Sequence, residues 1–315
     1  MSHHRLTPRM RTLLASVARS RQPAIHTLTP AEARSRYGAM AEVLDLPRVP
    51  LARVETLEIP THHRCAARLY ASRPAEISKP LPVLLYLHGG GFVLGGLETH
   101  DSLCRQIALR SGVAVLALDY RLAPEHRFPA AVEDVWAALQ WLINGGATSL
   151  GLDSTRVALG GDSAGATLAA VAALMARDAD LPLALQLLIT PGTAADLDSA
   201  SHQRFGEGFL IDRALLDWFF DHYIDPEQRR DWRYAPLHAE DLEGVAPAYL
   251  VLAECDPLVD EGLAYADRLR MAAVAVELDL VKGVTHDFIK MGRVIEEAIP
   301  ALDRLAAALQ QALRT

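Results

Sequence analysis

Cysteine is nearly absent from this chain. Cys65, Cys104 and Cys255 are the only three, far apart and without metal-ligand spacing. A scaffold stapled by several disulfides is excluded, and a cysteine zinc site is not indicated. At most one disulfide can form, and the pattern suits a reducing, cytoplasmic setting. Long apolar runs are missing too. The longest, 164–176, contains Gly165 and Thr167 and falls short of the roughly 18 residues that a membrane span needs. Positive charge is in deficit, with 31 Lys and Arg against 39 Asp and Glu, a net charge of −8 and a pI near 5.8. A broad nucleic-acid-binding face is therefore not expected. Arg5, Arg9 and Arg11 mark a basic start, but no continuous apolar stretch follows, so a surface helix is favoured over a signal or transit peptide. Aromatic residues make up only 6%.

Apolar residues make up 50% of the chain and charged residues 22%, enough for a sizeable core. Length alone permits one large domain or two of about 150 residues. The first fifty residues stand apart, with eight arginines against Glu32, Glu42 and Asp45. Met10, Leu13, Leu14 and Val17 recur at helical spacing. Thr29, Pro30 and Glu32 read as an N-cap, a first-turn proline and a capping-box glutamate. Two helices lying on another part of the molecule are expected here.

Beyond residue 50 the pattern becomes one of strands. Val54–Ile59 and Cys65–Ala71 come first, with a turn at His62 and His63. Val83–Leu87, Val113–Leu118, Val157–Leu159, Leu185–Ile189, Tyr249–Leu252 and Val276–Val281 follow, most of them separated by helical stretches. Continuous apolar strands alternating with helices indicate an α/β protein with a largely parallel sheet. Ligands bind such sheets at the carboxyl ends of the strands. Some sixty residues between Ile189 and Tyr249 carry no strand. They hold Phe205, Phe209, Trp218, Phe219, Phe220 and Tyr223, with Leu215, Trp218, Phe219 and His222 at helical spacing. An insert of this size suggests a lid. Most of these aromatics should form its own core, with one or two facing a pocket. Phe92, Phe209, Leu210 and Trp218 are the candidates for the pocket wall.

The sharpest motif is Gly161-Asp162-Ser163-Ala164-Gly165, placed between a strand and a helical run. A serine on so tight a turn needs small residues two positions away on either side, and the helix behind it favours negative charge. His88-Gly89-Gly90-Gly91-Phe92 directly follows a strand. Its glycines can aim backbone N–H groups at an oxyanion. The Lys-Ser/Thr ending of a phosphate-binding loop is lacking. His88 anchors the loop in this reading rather than serving as a base. A nucleophilic serine needs a base and an orienting acid, in the chain order Ser, Asp or Glu, His. After Tyr249 the one histidine is His286, in a loop past the last strand. The acid comes from Glu254, Asp256, Asp260 and Glu261. Asp256 is favoured because it precedes Pro257 in the loop, whereas Asp260 should cap the next helix.

Together, His88–Phe92, Asp119–Glu125, Gly161–Gly165, Asp256–Asp260 and His286–Phe288 resemble the hormone-sensitive-lipase-like family of α/β-hydrolase carboxylesterases. The similarity is strongest to its bacterial branch with the Gly-Asp-Ser-Ala-Gly motif, and it spans about residues 80–290. It implies a mostly parallel eight-stranded sheet flanked by helices, and a helical cap. The cap would take residues 1–50 and 191–245, the hydrolase core 51–190 and 246–315. It further implies hydrolysis of short- to medium-chain acyl esters without cofactor or metal. The triad carried over is Ser163, Asp256 and His286, with oxyanion donors on Gly90, Gly91 and Ala164. Tyr120–Glu125 would be scaffolding. Cys255 departs from an aromatic residue common in relatives. If exposed, its thiol would make activity oxidation-sensitive; if buried, it is inert. Amidase, lactonase or long-chain lipase activity at the same site are the alternatives, and non-catalytic reception of a small molecule is a further one. The expected partner is a small ester, with neither nucleic acid nor membrane. The fold class is compatible with a homodimer.

Overall fold

In the computed structural model, which describes residues 2–60, 63–76, 78–146 and 148–314, the apolar runs become one eight-stranded sheet. The strands are β1 (Arg53–Ile59), β2 (Cys65–Ala71), β3 (Leu81–Leu87), β4 (Ala114–Asp119), β5 (Leu152–Asp162), β6 (Leu185–Ile189), β7 (Ala248–Ala253) and β8 (Val276–Val281). Their order is β1-β2-β4-β3-β5-β6-β7-β8. β2 runs antiparallel to both its neighbours, and every other pairing is parallel. Of the turn expected between β1 and β2, His62 lies outside the described residues.

One strand is longer than its apolar pattern. The expected segment Val157–Leu159 extends back to Leu152, which pairs with Leu81 across a register shift. The added residues Asp153 to Arg156 are polar and partly exposed, so they give no buried-strand signal.

Alternate side chains of the central strands feed two cores, one on each face. Val83, Leu85 and Leu87 of β3 pack with α4 (Ala130–Trp141) and α5 (Ala164–Asp178). Leu84 and Tyr86 face the other way, toward α3 (Asp101–Ser111) and α9 (Ala298–Ala312). With both faces covered, β6 and β7 are buried at every residue and β3 at all but Pro82, as parallel sheets require. α8 (Val259–Met271) crosses between β7 and β8.

The N-terminal arm forms α1 (Pro8–Arg19) and α2 (Pro30–Met40). Thr29 and Glu32 make the capping box at α2. Only part of the expected α1 face is covered. Met10 and Leu14 are buried, whereas Val17 is 45% exposed. The reason is where the helix touches down. The Thr7 N–H donates to the Gly283 carbonyl (2.9 Å) and the Thr285 hydroxyl meets the Met10 sulfur, so the first turns rest on the loop after β8 and the last does not.

Between β6 and β7 there is no strand. α6 (Ala200–Phe205) and α7 (Arg213–Tyr223) occupy the interval. The buried face of α7 is Leu216, Phe219 and Tyr223 rather than Leu215, Trp218, Phe219 and His222. Phe219 presses on Gly91, and Tyr223 stacks on Phe92 at 4.0 Å between centroids. These contacts turn the helix about its axis and leave Leu215 and Trp218 half-buried.

Candidate active site

Four strands, β3, β5, β7 and β8, deliver the candidate residues to one edge of the sheet, with β6 between β5 and β7. β3 ends at Leu87 and runs into His88–Gly91. β5 ends at Asp162, directly before Ser163. β7 leads to Asp256, and β8 to His286.

Ser163 sits in a left-handed conformation, φ 53° and ψ −123°. A non-glycine residue there costs about 1–3 kcal/mol and is held only by its surroundings. Its N–H donates to the Ile189 carbonyl (2.8 Å), and its carbonyl receives the Thr167 N–H (3.0 Å). The flanking glycines are sterically required. A Cβ on Gly161 would lie 2.2 Å from the Leu87 oxygen, and one on Gly165 would lie 2.0 Å from the same atom. Small residues let the elbow press against the end of β3.

His286 Nε2 stands 2.8 Å from Ser163 Oγ, and His286 Nδ1 stands 2.7 Å from Asp256 Oδ2. The other Asp256 oxygen accepts the Leu258 N–H at 2.9 Å. Asp256 and His286 are both at least 98% buried. Burial draws the imidazole pKa down, but the Asp256 carboxylate beside it prevails and raises it. Of the other acids weighed from the sequence, Glu254 accepts the Gly283 N–H (2.9 Å) and pairs with Arg5 (3.3 Å). Asp260 is not an N-cap. It lies in the first turn of α8, where the cap position is Leu258, and its side chain accepts the Ser201 N–H (2.7 Å).

The glycine loop is shaped by contacts that exclude side chains. A Cβ on Gly90 (φ 124°) would lie 2.3 Å from the Leu94 oxygen, and one on Gly91 (φ 60°) would fall within 2.2 Å of the Phe219 ring. The N–H groups of Gly90 and Gly91 donate to no protein acceptor among the described residues. Ala164 opens α5, so helix geometry leaves its N–H free as well. His88 is buried and stacks on Tyr120 at 4.3 Å, with Nδ1 3.0 Å from the Gly89 carbonyl. Burial, and then His100, lower its pKa to about 3, so it anchors the loop as a neutral ring. The Tyr120 hydroxyl donates to the His88 carbonyl (2.6 Å), and the Ala123 N–H to the Phe92 carbonyl (2.9 Å). Arg34 of α2 bridges Val93, Ala123 and Glu125. Tyr120–Glu125 thus braces the loop.

Above Ser163 lies a mostly apolar cleft of about 520 Å³, open solvent at its mouth included. Ile211, Leu216, Phe219 and Phe220 form much of its wall, with Thr167 and Glu261 as polar points.

A family model described as alpha/beta hydrolase fold matches residues 84–290. The ethyl acetate hydrolase of Pseudomonas putida is 45% identical over 256 residues, covering 80% of each chain. Carboxylesterase NlhH of Mycobacterium tuberculosis is 41% identical over 76% of each. The chain belongs to the alpha/beta hydrolase fold family, among its hormone-sensitive-lipase-like carboxylesterases. Solved esterases superpose along nearly its whole length. One from Pyrobaculum calidifontis gives a TM-score of 0.90 at 35% identity, covering 98% of each chain. A thermostable one from Pseudomonas putida gives 0.93 at 30% identity, covering 99% of this chain and 98% of that one.

Not every pocket residue expected for this carboxylesterase lines the cleft. Phe92 does. Phe209, Leu210 and Trp218 do not. Phe209 packs edge-on against Phe205 (5.1 Å) and beside His3 (4.8 Å), and Leu210 packs with that same core. Trp218 covers the outer side of α7, against Phe219 and His222. Helical spacing identified the insert's helix but not which side of it meets the elbow. The Cys255 thiol is buried, and burial raises its pKa to about 11, which removes the basis for an oxidation-sensitive activity.

A buried polar network behind the elbow escaped the sequence reading. The Asp162 carboxylate accepts from the Tyr86 hydroxyl (2.6 Å) and the Gly89 N–H (3.1 Å), and lies 3.1 Å from His100 Nε2. Lys290 Nζ is 4.0 Å from the same carboxylate and donates to the Tyr37 hydroxyl of α2 (2.6 Å). Burial favours the neutral acid, but His100, Lys290 and Tyr86 outweigh it and hold Asp162 well below the usual carboxylate range. The network joins elbow, glycine loop and N-terminal arm. A lysine within the apolar stretch after His286 was the one available signal. Among the described residues, no group of three or more His, Cys, Asp or Glu could hold a metal ion, and no helix is long and apolar enough to cross a membrane.

Proposed function

We propose that Ser163 is the nucleophile of this carboxylesterase, His286 its general base and acid, and Asp256 the acid that orients the imidazole. The observation that carries the assignment is the continuous Ser163–His286–Asp256 hydrogen-bonded chain on the floor of an apolar cleft. His286 Nε2 takes the hydroxyl proton as Ser163 Oγ bonds to the ester carbonyl carbon. The carbonyl electrons move to oxygen, and the N–H groups of Gly90, Gly91 and Ala164 donate hydrogen bonds to that oxyanion. The intermediate collapses, the C–O bond to the alcohol breaks, and His286 returns the proton to the leaving oxygen. Water repeats the sequence on the acyl-enzyme, releasing the acid and restoring Ser163. Asp256 stays ionised and stabilises the imidazolium.

The apolar wall and modest volume favour short- to medium-chain acyl groups, and the relative named for ethyl acetate hydrolysis points the same way. In this reading residues 1–50 and 191–245 form the cap and 51–190 and 246–315 the core. Phe219 on Gly91 and Arg34 on the loop after β3 support that division. The reading also includes a cytoplasmic setting, in keeping with three free, buried cysteines. It includes a homodimer formed through an edge strand or a helix; light scattering reads its mass. Ser163→Ala should abolish hydrolysis of p-nitrophenyl butyrate while circular dichroism stays unchanged. Substantial activity in the purified variant would overturn the assignment.

A further inference from the structure

Glu261 enters the cleft from the first turn of α8, although catalysis as proposed above does not use it. It is 95% buried. Its Oε2 accepts the N–H groups of Ala194 (2.6 Å) and Thr193 (3.2 Å), which fixes the side chain. Its Oε1 has no hydrogen-bond partner in the protein and is not sealed off, so it opens on the cleft. Gly192 lines the cleft beside it. A Cβ there would lie 4.0 Å from Oε1, in ordinary contact and with no backbone strain. A largely apolar cleft thus holds a fixed carboxyl oxygen with no protein partner, beside Ile211, Leu216 and Leu258. Hydrophobic walls alone discriminate weakly between esters. A buried group built to hydrogen-bond discriminates more strongly, because the wrong ligand leaves it unpaired.

We propose that Glu261 Oε1 is a specificity-determining subsite for esters that carry a second, neutral oxygen, an ether, hydroxyl or keto group, in the arm that enters the cleft. The inference rests on Ser163 as the nucleophile. Burial raises the Glu261 pKa to about 8, against the pull of the Ala194 and Thr193 N–H groups. Asp256 pushes the same way, His286 opposes, and Tyr234 stands within electrostatic reach. With Oε2 occupied by two donors, the proton resides on Oε1, which then donates to the ligand oxygen.

The test compares esters in which an ether oxygen replaces one methylene. Ethyl 3-methoxypropanoate is set against ethyl pentanoate, and ethyl 4-methoxybutanoate against ethyl hexanoate. For the alcohol arm, 2-methoxyethyl butyrate is set against butyl butyrate. The ratio of kcat/KM within each pair is measured for wild type and variants, which cancels intrinsic reactivity. For at least one pair the wild-type ratio should exceed that of Glu261→Leu about three- to tenfold, the weight of one neutral hydrogen bond. Glu261→Gln, whose amide still donates, should keep the ratio. The wild-type ratio should fall between pH 7 and 9 as the carboxyl ionises, and that of Glu261→Gln should not. Equal ratios in wild type and Glu261→Leu for every pair overturn the subsite. Should Glu261→Leu fail to fold, a wild-type ratio that stays constant between pH 7 and 9 does so. Hydrolysis of butyl butyrate that survives Ser163→Ala would instead overturn the underlying reading, whatever the ratios show.

Discussion

Gly165→Ala probes the coupling between the elbow and the glycine loop with a single added methyl group. That carbon would stand 2.0 Å from the Leu87 oxygen, 2.5 Å from the Leu87 carbonyl carbon and 2.7 Å from the His88 oxygen. All three are backbone atoms, so no rotamer change relieves the overlap. Restoring ordinary contact means separating the two segments by roughly 1.4 Å, and the segment that moves carries Gly90 and Gly91. Overpacking of this kind costs about 1–3 kcal/mol, which for a chain of this size lowers Tm by roughly 2–10 °C. A displacement of about 1 Å at the reacting centre costs on the order of 100-fold in rate. Gly38→Ala is the matched control. Gly38 lies inside α2, and a Cβ there meets nothing within 4 Å. The same methyl group should therefore stabilise the protein by about 0.5–1 kcal/mol through helix propensity and leave kcat/KM unchanged. Scanning fluorimetry and p-nitrophenyl butyrate kinetics on both variants read the contrast. A Gly165→Ala enzyme within threefold of wild-type kcat/KM, with Tm within about 1 °C, would refute the steric argument.

Three more outcomes follow from the same geometry. The neutral imidazole is the active base and Asp256 raises its pKa, so kcat/KM should decline with acidification from a midpoint above the usual value of about 6.5. A flat profile from pH 5 to 8 would contradict this. Lys290→Met removes a buried charge from among Asp162, Asp287 and Tyr37, so the network loses its one lysine while Asp162 keeps Tyr86, Gly89 and His100. Urea unfolding should show a loss of about 3–5 kcal/mol, and an undiminished midpoint would mean that the network contributes nothing. Phe219→Ala should widen the cleft over Gly91, cost about 3 kcal/mol in stability and move the optimum in a p-nitrophenyl acetate-to-decanoate series toward longer chains.

The inner strands were legible because most of their residues are apolar and buried on both faces, a pattern that survives without knowledge of neighbours. β5 departs from that pattern at its start. Its polar beginning, Asp153 to Arg156, pairs through backbone groups that the side-chain pattern does not report. The helices of the arm and insert were legible from spacing and capping. Their buried faces were less so, as Val17 on α1 and the rotated face of α7 show. A helix that rests on a loop is oriented by a few contacts far away in sequence, such as Phe219 on Gly91. For the same reason Phe209, Leu210 and Trp218 do not line the cleft, while Ile211, Leu216 and Phe220 do.

By itself the sequence determined the chemistry's local requirements. Tight turns demand glycine at fixed spacing, and the order of strands with their trailing Ser163, Asp256 and His286 is written along the chain. Which groups converge from opposite directions depends on tertiary packing. Lys290 reaches Tyr37 across 253 residues of chain, and Glu261 finds Thr193 and Ala194 across the cleft. Such pairings cost loop-closure entropy and are held by burial and hydrogen bonds that exist only after the sheet has formed. No periodicity or motif encodes them, because each partner alone is an ordinary polar residue.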